Sequence, residues 1–356
     1  MKRRLFAVLI LSLALSVLCA CAQAPAPAPT PEAAAAPTAA PVPTPAPTPS
    51  PAPAPTPSPT PTPTPIPRSQ ILLERGEELD WRCGLPFTDP GYTAYGPEGE
   101  DRTPDVTVTG EVICWQPGDY VLDYLLSDAS GPIAEARRTV HVVPAELPET
   151  VHQDGAVYLT FDDGPSDYTA QVLDILAKYD VKATFFIVAD RLSNLDMLQR
   201  IVDEGHTLGI HCYCHAYEEL YSSPEAFFTD FMAAQQVIYE HTGQYAQVSR
   251  LPGGSWTATY MTWQLPGGAE EFPERMHAMG IRYYDWDIQP ESSTRTTEGT
   301  FWDFSHPSEP YDGSIVLQHD TRYYSVMALE KMIQWGLEQG YRFLPIDLTT
   351  PEVHFT

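Results

Sequence analysis

The fold class is indicated by one stretch of the sequence, Ala156-Val157-Tyr158-Leu159-Thr160-Phe161-Asp162-Asp163-Gly164-Pro165-Ser166. Its first six residues form a mainly apolar run that is bounded by a Gly-Pro turn, which predicts a buried strand. Two adjacent carboxylates end this strand. Because consecutive side chains of a strand point in opposite directions, one carboxylate can face a metal ion while its neighbour faces a water molecule. An ordinary turn that caps a helix would carry the same residues, so the motif alone does not decide the function.

Strands and helices alternate after this stretch. Residues 168–178 and 195–204 have helical periodicity, and residues 183–189 form a second apolar strand. The alternation continues through residues 224–240, 314–317 and 325–339. This order predicts an α/β domain at residues 150–356 whose parallel sheet can close into a barrel. Active sites of such folds lie at the carboxyl ends of the strands, so polar residues directly after strands are the candidates for function.

Three later motifs supply such residues. His211 and His215 are four residues apart and can converge on one ion if the backbone coils there. With one Asp from a strand end they would form a three-ligand site with an open position, the pattern typical of catalytic zinc. Arg250 and His319 each follow a short apolar strand. An active site uses such side chains to hold a carboxylate and to donate a proton.

These motifs resemble the polysaccharide deacetylase family, the NodB-homology domains of carbohydrate esterase family 4. The resemblance rests on Thr160-Phe161-Asp162-Asp163-Gly164-Pro165-Ser166, His211-x-x-x-His215, Arg250-x-Pro252-x-Gly254 and Ile315-Val316-Leu317-x-His319-Asp320, in this order. It runs from about Ala156 to Asp347. It implies a distorted (β/α) barrel that removes acetyl groups from N-acetylated sugars with the help of a metal ion.

The resemblance also implies a role for each motif residue. Asp162 would be the general base and His319 the general acid. The ligands of a divalent metal ion, most often zinc, would be Asp163, His211 and His215. Arg250 would orient Asp162.

Further residues would support the site. The loop residues Pro252, Gly253 and Gly254 would shape it, and a backbone N–H, that of Gly253, would help to hold the oxyanion. Trp286 and Leu317, together with Tyr284, would line the pocket for the acetyl methyl group and the sugar. A place in the core explains these three side chains almost as well.

The sequence departs from the family pattern in two places. Cys212 follows the first metal histidine, where relatives carry Ser or Thr, and it could oxidise with Cys214 or compete as a zinc ligand. Relatives also carry an acid that tunes the catalytic histidine. Aligned on Trp286, its place falls near Ser292 and Ser293, and the nearby acids are Asp285, Asp287 and Glu291. We therefore expect His319 to be tuned differently or weakly.

Residues 68–145 predict a small all-β domain, with strands at residues 71–79, 106–109, 120–126 and 139–143. This segment resembles bacterial immunoglobulin-like domains of surface proteins, which implies a sandwich that acts as a spacer or binds carbohydrate. Cys83 and Cys114 lie in it. In an oxidising compartment we expect a disulfide between them, with burial as two reduced thiols as the alternative.

The N-terminal part reads as an export and anchoring segment. Residues 1–20 combine Lys2-Arg3-Arg4 with a short apolar run, and Leu18-Cys19-Ala20-Cys21 resembles a bacterial lipobox. It implies a lipoprotein signal peptide and lipidation of Cys21, which would anchor the protein in the lipid bilayer at the extracellular face of the bacterial membrane. An ordinary signal peptide and a freely secreted product are the alternative. Residues 21–67 contain 19 of the 37 prolines and predict an extended, unfolded stalk or a docking site for a partner.

The charge excludes one class of partner and leaves three functions open. The chain has 20 basic and 47 acidic residues, so it offers no basic surface to nucleic acid. The first hypothesis is an N-deacetylase acting on N-acetylglucosamine or N-acetylmuramic acid of peptidoglycan or another surface glycan. The second is a glycan-binding protein of the same fold with little or no activity. The third is an O-acetyl esterase. We expect a monomer in each case.

Overall fold

The computed structural model describes residues 68–191, 193–264, 268–291, 294–308 and 310–355. The predicted signal peptide, the lipidated Cys21 and the stalk lie outside these residues. Within them, no helix is both long enough and apolar enough to cross a membrane.

Residues 70–143 form an all-β domain of two small sheets. Its six strands are β1 (Gln70–Leu73), β2 (Glu78–Arg82), β3 (Tyr92–Tyr95), β4 (Val106–Thr109), β5 (Gly118–Asp128) and β6 (Gly131–Val143). One sheet pairs β1 with β3, and the other has the order β2-β6-β5-β4. The predicted single strand at residues 71–79 is two strands. Arg75 and Gly76 have φ values of 63° and 92° and turn the chain out of the extended conformation between them.

The predicted disulfide of this domain is not formed. Cys83 and Cys114 are both buried, free thiols. Their segments are adjacent, since the Gly84 N–H donates to the Cys114 carbonyl at 2.8 Å. Each thiol packs into the apolar core as a small hydrophobic side chain, which is the other outcome that the sequence left open. Burial raises the pKa of Cys83 to about 12, so this thiol stays protonated.

Residues 156–350 form the predicted α/β domain. Its strands are β7 (Ala156–Gly164), β8 (Thr184–Val188), β9 (Thr207–Cys212), β10 (Val248–Ser249), β11 (Arg282–Tyr283), β12 (Ser314–His319) and β13 (Arg342–Phe343). Its helices are α1 (Thr169–Lys178), α2 (Asp196–Asp203), α3 (Tyr217–Leu220), α4 (Pro224–Thr242), α5 (Gly254–Thr262), α6 (Gly268–Ala278), α7 (Thr297–Ser305) and α8 (Tyr323–Glu338). Most of β7, β8, β9 and β12 is buried, as expected for strands covered on both faces.

The parallel sheet curls into a distorted barrel. Its order is β11-β10-β9-β8-β7-β12, and β13 pairs with the start of β7. The segment after β11 closes the curl. The Tyr284 N–H donates to Ser249 of β10 at 2.9 Å, and a few residues later the Asp287 N–H donates to Ile315 of β12 at 2.9 Å. The carboxyl ends of β7, β9, β10 and β12, where the sequence places its polar motifs, therefore meet at one end of the barrel.

Candidate active site

A bulge at the end of β7 separates the two carboxylates of the first motif. The pairing of β7 with β8 shifts register between Asp162 and Gly164. Asp163 is the extra residue and adopts a left-handed φ of 70°. Such bulges re-aim side chains next to active sites. Asp162 keeps the inward direction of its strand, whereas Asp163 points toward the histidines that follow β9.

The end of β7 is fastened to the end of β12. A Cβ on Gly164 would lie 2.5 Å from the Asp320 carboxylate, so only glycine fits there. The Ser166 hydroxyl donates to the Asp320 carbonyl at 2.9 Å, and the Thr169 hydroxyl donates to the Asp320 carboxylate. These contacts fix the first and last motifs relative to each other.

Arg250 holds Asp162 inside the barrel. Its side chain is fully buried, and one guanidinium nitrogen donates to Asp162 Oδ1 at 2.9 Å. The others donate to the backbone carbonyls of Tyr284 and Asp285 at 2.9 Å each. These acceptors together hold the guanidinium beside the Asp162 carboxylate.

Asp163, His211 and His215 form a group that can hold a metal ion. The Nε2 atoms of His211 and His215 lie 3.7 and 3.5 Å from Asp163 Oδ1, and the candidate ligand atoms of all three residues lie within 4.8 Å of one another. Asp163 Oδ1 is buried and has no hydrogen-bond partner among the described residues. An uncompensated buried carboxylate oxygen is costly, so this geometry fits a cation.

The protonation of these residues also suits a metal site. The His211 Nδ1–H donates to the Arg250 carbonyl at 2.8 Å, which leaves Nε2 as the ligand atom. Burial lowers the pKa of His211, so the ring stays neutral. Burial alone would raise the pKa of Asp163, but electrostatic interactions with the surrounding basic groups, among them His319 and Arg191, lower it. Two imidazoles and one carboxylate are a common donor set for catalytic zinc.

Asp230, which the sequence analysis missed, braces the loop between the two histidines. From α4 its carboxylate accepts the N–H groups of Tyr213 and Cys214 at 2.7 and 2.8 Å. It therefore supplies the support that a hydroxyl after His211 would give. An acid in the apolar run Phe227-Phe228-Thr229-Asp230-Phe231 was the available signal.

The cysteines of this loop do not take the place of the metal ligands. Cys212 and Cys214 are both free, and neither joins the metal-binding group of the described residues. Burial strongly raises the pKa of Cys212, which keeps it a neutral thiol, whereas a ligand must be a thiolate. At this end of the barrel, the residues that could hold a metal ion are therefore Asp163 and the two histidines.

Glu291 is the acid that faces His319. The His319 Nδ1–H donates to Glu291 Oε2 at 2.7 Å, and the backbone N–H of His319 donates to Oε1 at 2.9 Å. Burial lowers the pKa of His319, but the hydrogen bond and charge of Glu291 outweigh burial and raise it. Nε2, the other ring nitrogen, lies 4.0 Å from Asp163 Oδ2. The sequence left open whether His319 is tuned differently or weakly, and the contact with Glu291 favours the first of these.

The other two acids near Trp286, Asp285 and Asp287, have structural roles. Asp285 accepts the N–H groups of Ser255 and Phe355 at 2.8 and 2.7 Å, and Asp287 accepts the N–H of Ile315 at 2.8 Å. Ser292 and Ser293 lie outside the described residues. Residue spacing alone could not choose among the three acids, since each lies close to Trp286 in sequence.

The loop that follows β10 is held in one shape. The Tyr221 hydroxyl donates to the Pro252 carbonyl at 2.9 Å. Gly253 has a left-handed φ of 76°, and the Gly254 N–H donates to the Leu251 carbonyl at 2.8 Å. Among the described residues, no acceptor contacts the N–H of Gly253. This group is free to donate to an oxyanion, as the resemblance implies.

Of the three predicted pocket residues, Tyr284 and Leu317 are buried, the latter with 3% of its surface exposed. Tyr284 is fully buried, and its hydroxyl donates to the carbonyls of Asp347 and Thr350 at 3.1 Å each. Leu317 lies two residues before His319 on the same face of β12. The half-buried Trp286 has the Arg250 guanidinium 5.7 Å from its ring centroid. Leu317 and Trp286 thus remain candidates for the pocket.

Comparisons with known proteins agree with the family that the sequence motifs resemble. The family model "Polysaccharide deacetylase" matches residues 150–265, and the model "Bacterial surface protein, Ig-like domain" matches residues 71–142. YheN of Bacillus subtilis (strain 168), provisionally named a polysaccharide deacetylase, is 31% identical over 56% of this chain and 70% of its own length.

Two further relatives are named for peptidoglycan. A peptidoglycan-N-acetylglucosamine deacetylase of Bacillus cereus is 28% identical over 52% of this chain and 67% of its own length. The crystal structure of the catalytic domain of a peptidoglycan N-acetylglucosamine deacetylase from Eubacterium rectale is 36% identical, with a TM-score of 0.54. The match covers 59% of this chain and 96% of that domain.

Proposed function

Because this chain belongs to the polysaccharide deacetylase family, as the comparison with YheN shows, we propose that it is a metal-dependent N-deacetylase of peptidoglycan or another surface glycan. Its substrate would be an N-acetylglucosamine or N-acetylmuramic acid unit. The observation that carries the proposal is the meeting of three groups at one end of the barrel: Asp162 with Arg250, Asp163 with the two histidines, and His319 with Glu291.

The chain's own residues suit the hydrolysis of an amide, which needs an activated water molecule and a protonated leaving group. When bound by Asp163, His211 and His215, a divalent metal ion, with zinc proposed, would acidify a water molecule and polarise the acetyl carbonyl. Asp162, held in place by Arg250, accepts the proton of the attacking water. The Gly253 N–H donates to the oxygen that becomes negative. His319 donates its Nε2 proton to the departing amine, while Glu291 stabilises its protonated ring.

Glu291 also favours activity over a purely glycan-binding role. The main argument for an inactive protein is that the family's acid is missing near Ser292 and Ser293, and Glu291 presents a carboxylate to His319 instead. The O-acetyl esterase hypothesis uses the same groups, so only substrates distinguish it from the first.

Acetate release tests this function. Wild-type protein is incubated with N-acetylglucosamine oligomers, purified peptidoglycan and acetylated xylan. We expect release from an N-acetylated glycan and a loss of at least about 100-fold in Asp162→Asn. Asp154→Asn, a fully exposed residue before β7, is the matched control. Release from xylan alone would favour the esterase, and glycan binding without any release would favour the binding protein.

Metal content tests the ligand set separately. We expect about one equivalent of zinc in the wild type and a loss of stoichiometric zinc in His211→Ala. Cys214→Ser is the control and should retain the metal. Loss of zinc in Cys214→Ser with full retention in His211→Ala would place the metal on the thiols instead.

We further propose that the protein is held as a monomer at the extracellular face of the membrane by a lipid on Cys21. The supporting observations are the sequence pattern of residues 1–21 and the proline-rich segment after it. The stalk and the β domain would then extend the active site toward the cell wall. Cys21→Ala should move the protein from the membrane fraction to the medium, and continued membrane association would contradict the anchor.

A further inference from the structure

Helix α5 exposes three large aromatic rings on one face. Trp256, Tyr260 and Trp263 are 59, 64 and 66% exposed, and they follow one another at the i, i+4, i+7 spacing of a single helix face. The opposite face buries only small residues, namely Gly254, Ser255, Ala258 and Thr262. The rings therefore contribute little to the packing of this helix, and a cluster of exposed aromatic side chains marks a binding surface.

The rings are arranged as a platform. The planes of Trp256 and Tyr260 are 7° from parallel, with centroids 5.5 Å apart. With Thr259, Trp263 and Gln264 they line a shallow groove of about 470 Å³. At 1.5 Å per residue, Trp256 and Trp263 are about 10 Å apart along the helix axis, which is long enough for more than one sugar ring. Flat apolar rings beside hydroxyl and amide groups match the C–H face and the hydroxyl rim of a pyranose.

The position and charge of this platform indicate its occupant. α5 begins directly after the loop of Arg250 and Gly253, so the platform is continuous in the chain with the candidate active site. The helix Gly254–Thr262 has no charged residue. Membrane-surface helices carry Lys and Arg on their polar face, and α5 has neither, in a chain with a net charge of -27. A neutral glycan fits better than an anionic lipid surface.

We propose that Trp256, Tyr260 and Trp263 form a subsite that binds sugar units of the glycan beyond the one that loses its acetyl group. This inference rests on the proposed function, which identifies the occupant of the subsite as the substrate glycan. It explains why α5 keeps three rings in contact with water.

Chain-length dependence tests the subsite. The ratio of kcat/KM for N-acetylglucosamine hexamer to that for the dimer is measured in the wild type and in Trp256→Ala/Tyr260→Ala. We expect the ratio to fall about 10-fold in the variant, from the loss of two stacking contacts. Tyr239→Ala, which removes an exposed ring on α4, is the matched control and should keep the wild-type ratio. An unchanged ratio in the double variant would overturn the subsite.

Affinity electrophoresis in gels containing soluble acetylated chitin separates this test from the proposed activity. Retardation of the wild type but not of the double variant supports the subsite even if no acetate is released. Equal migration of the two proteins overturns it. If the double variant lost binding to phosphatidylglycerol vesicles but kept binding to the glycan, the subsite would also be overturned, and the rings would form a membrane-binding surface. Trp263→Ala provides a second variant if the double variant does not fold.

Discussion

Replacing Glu291 by Gln tests the tuning of the catalytic histidine. The carboxylate accepts hydrogen bonds from His319 Nδ1 at 2.7 Å, from the His319 backbone at 2.9 Å and from the Arg322 guanidinium. A glutamine of the same shape keeps one acceptor oxygen and presents an NH₂ group to donors. Each charge-assisted bond is worth about 1.5–3 kcal/mol. Losing the bond to the ring should therefore lower kcat about 10- to 100-fold.

The pH profile shows in which direction Glu291 shifts the pKa of His319. His319 acts when protonated, and Glu291 raises its pKa against the effect of burial. Without the carboxylate the pKa falls, so the alkaline limb of the kcat profile should move to lower pH. Acetate release is measured across pH, with Glu338→Gln at the exposed end of α8 as a control for the same chemical change. A variant with wild-type kcat and an unmoved alkaline limb would refute the assignment of Glu291.

Three other substitutions have defined outcomes. Arg322→Ala removes a charge that lowers the pKa of His319, so the alkaline limb of the kcat profile should move to higher pH. This shift is opposite to that of Glu291→Gln. A shift of the limb to lower pH would contradict the contact. Arg250→Met leaves a buried carboxylate unpaired and should cost about 3–5 kcal/mol in chemical denaturation, whereas Arg137→Met at an exposed pair should leave the denaturation midpoint nearly unchanged. Gly164→Ala places a Cβ 2.5 Å from a buried carboxylate oxygen and should destabilise the protein by about 1–3 kcal/mol, while an unchanged midpoint would argue against this packing.

The residues that carry short-range signals could be predicted from the sequence. Asp162 and Asp163 end an apolar strand before a Gly-Pro turn, and His211 and His215 share a spacing that lets both reach one ion. His319 ends another apolar strand. Parallel strands end at one edge of a sheet. The fold class therefore predicts that these residues lie close together in space.

Two contacts between residues that are distant in sequence and lie outside the family motifs on at least one side could not be predicted. Glu291 and His319 are separated by 28 positions, and no periodicity relates them. Asp230 reaches the loop of Cys214 from the middle of α4, where the pattern shows only an acid among apolar residues. The free thiol of Cys83 could not be predicted either. The cysteine content and the expected oxidising compartment favour a disulfide, but the local packing buries a free thiol.

The dependence of acetate release on a metal ion is the decisive measurement for the proposed reaction. Wild-type protein is assayed on N-acetylglucosamine oligomers as purified, after treatment with a chelator, and after one equivalent of zinc is restored. The site formed by Asp163, His211 and His215 predicts that chelation abolishes acetate release and that zinc restores it. Full acetate release from demonstrably metal-free protein would contradict the claim.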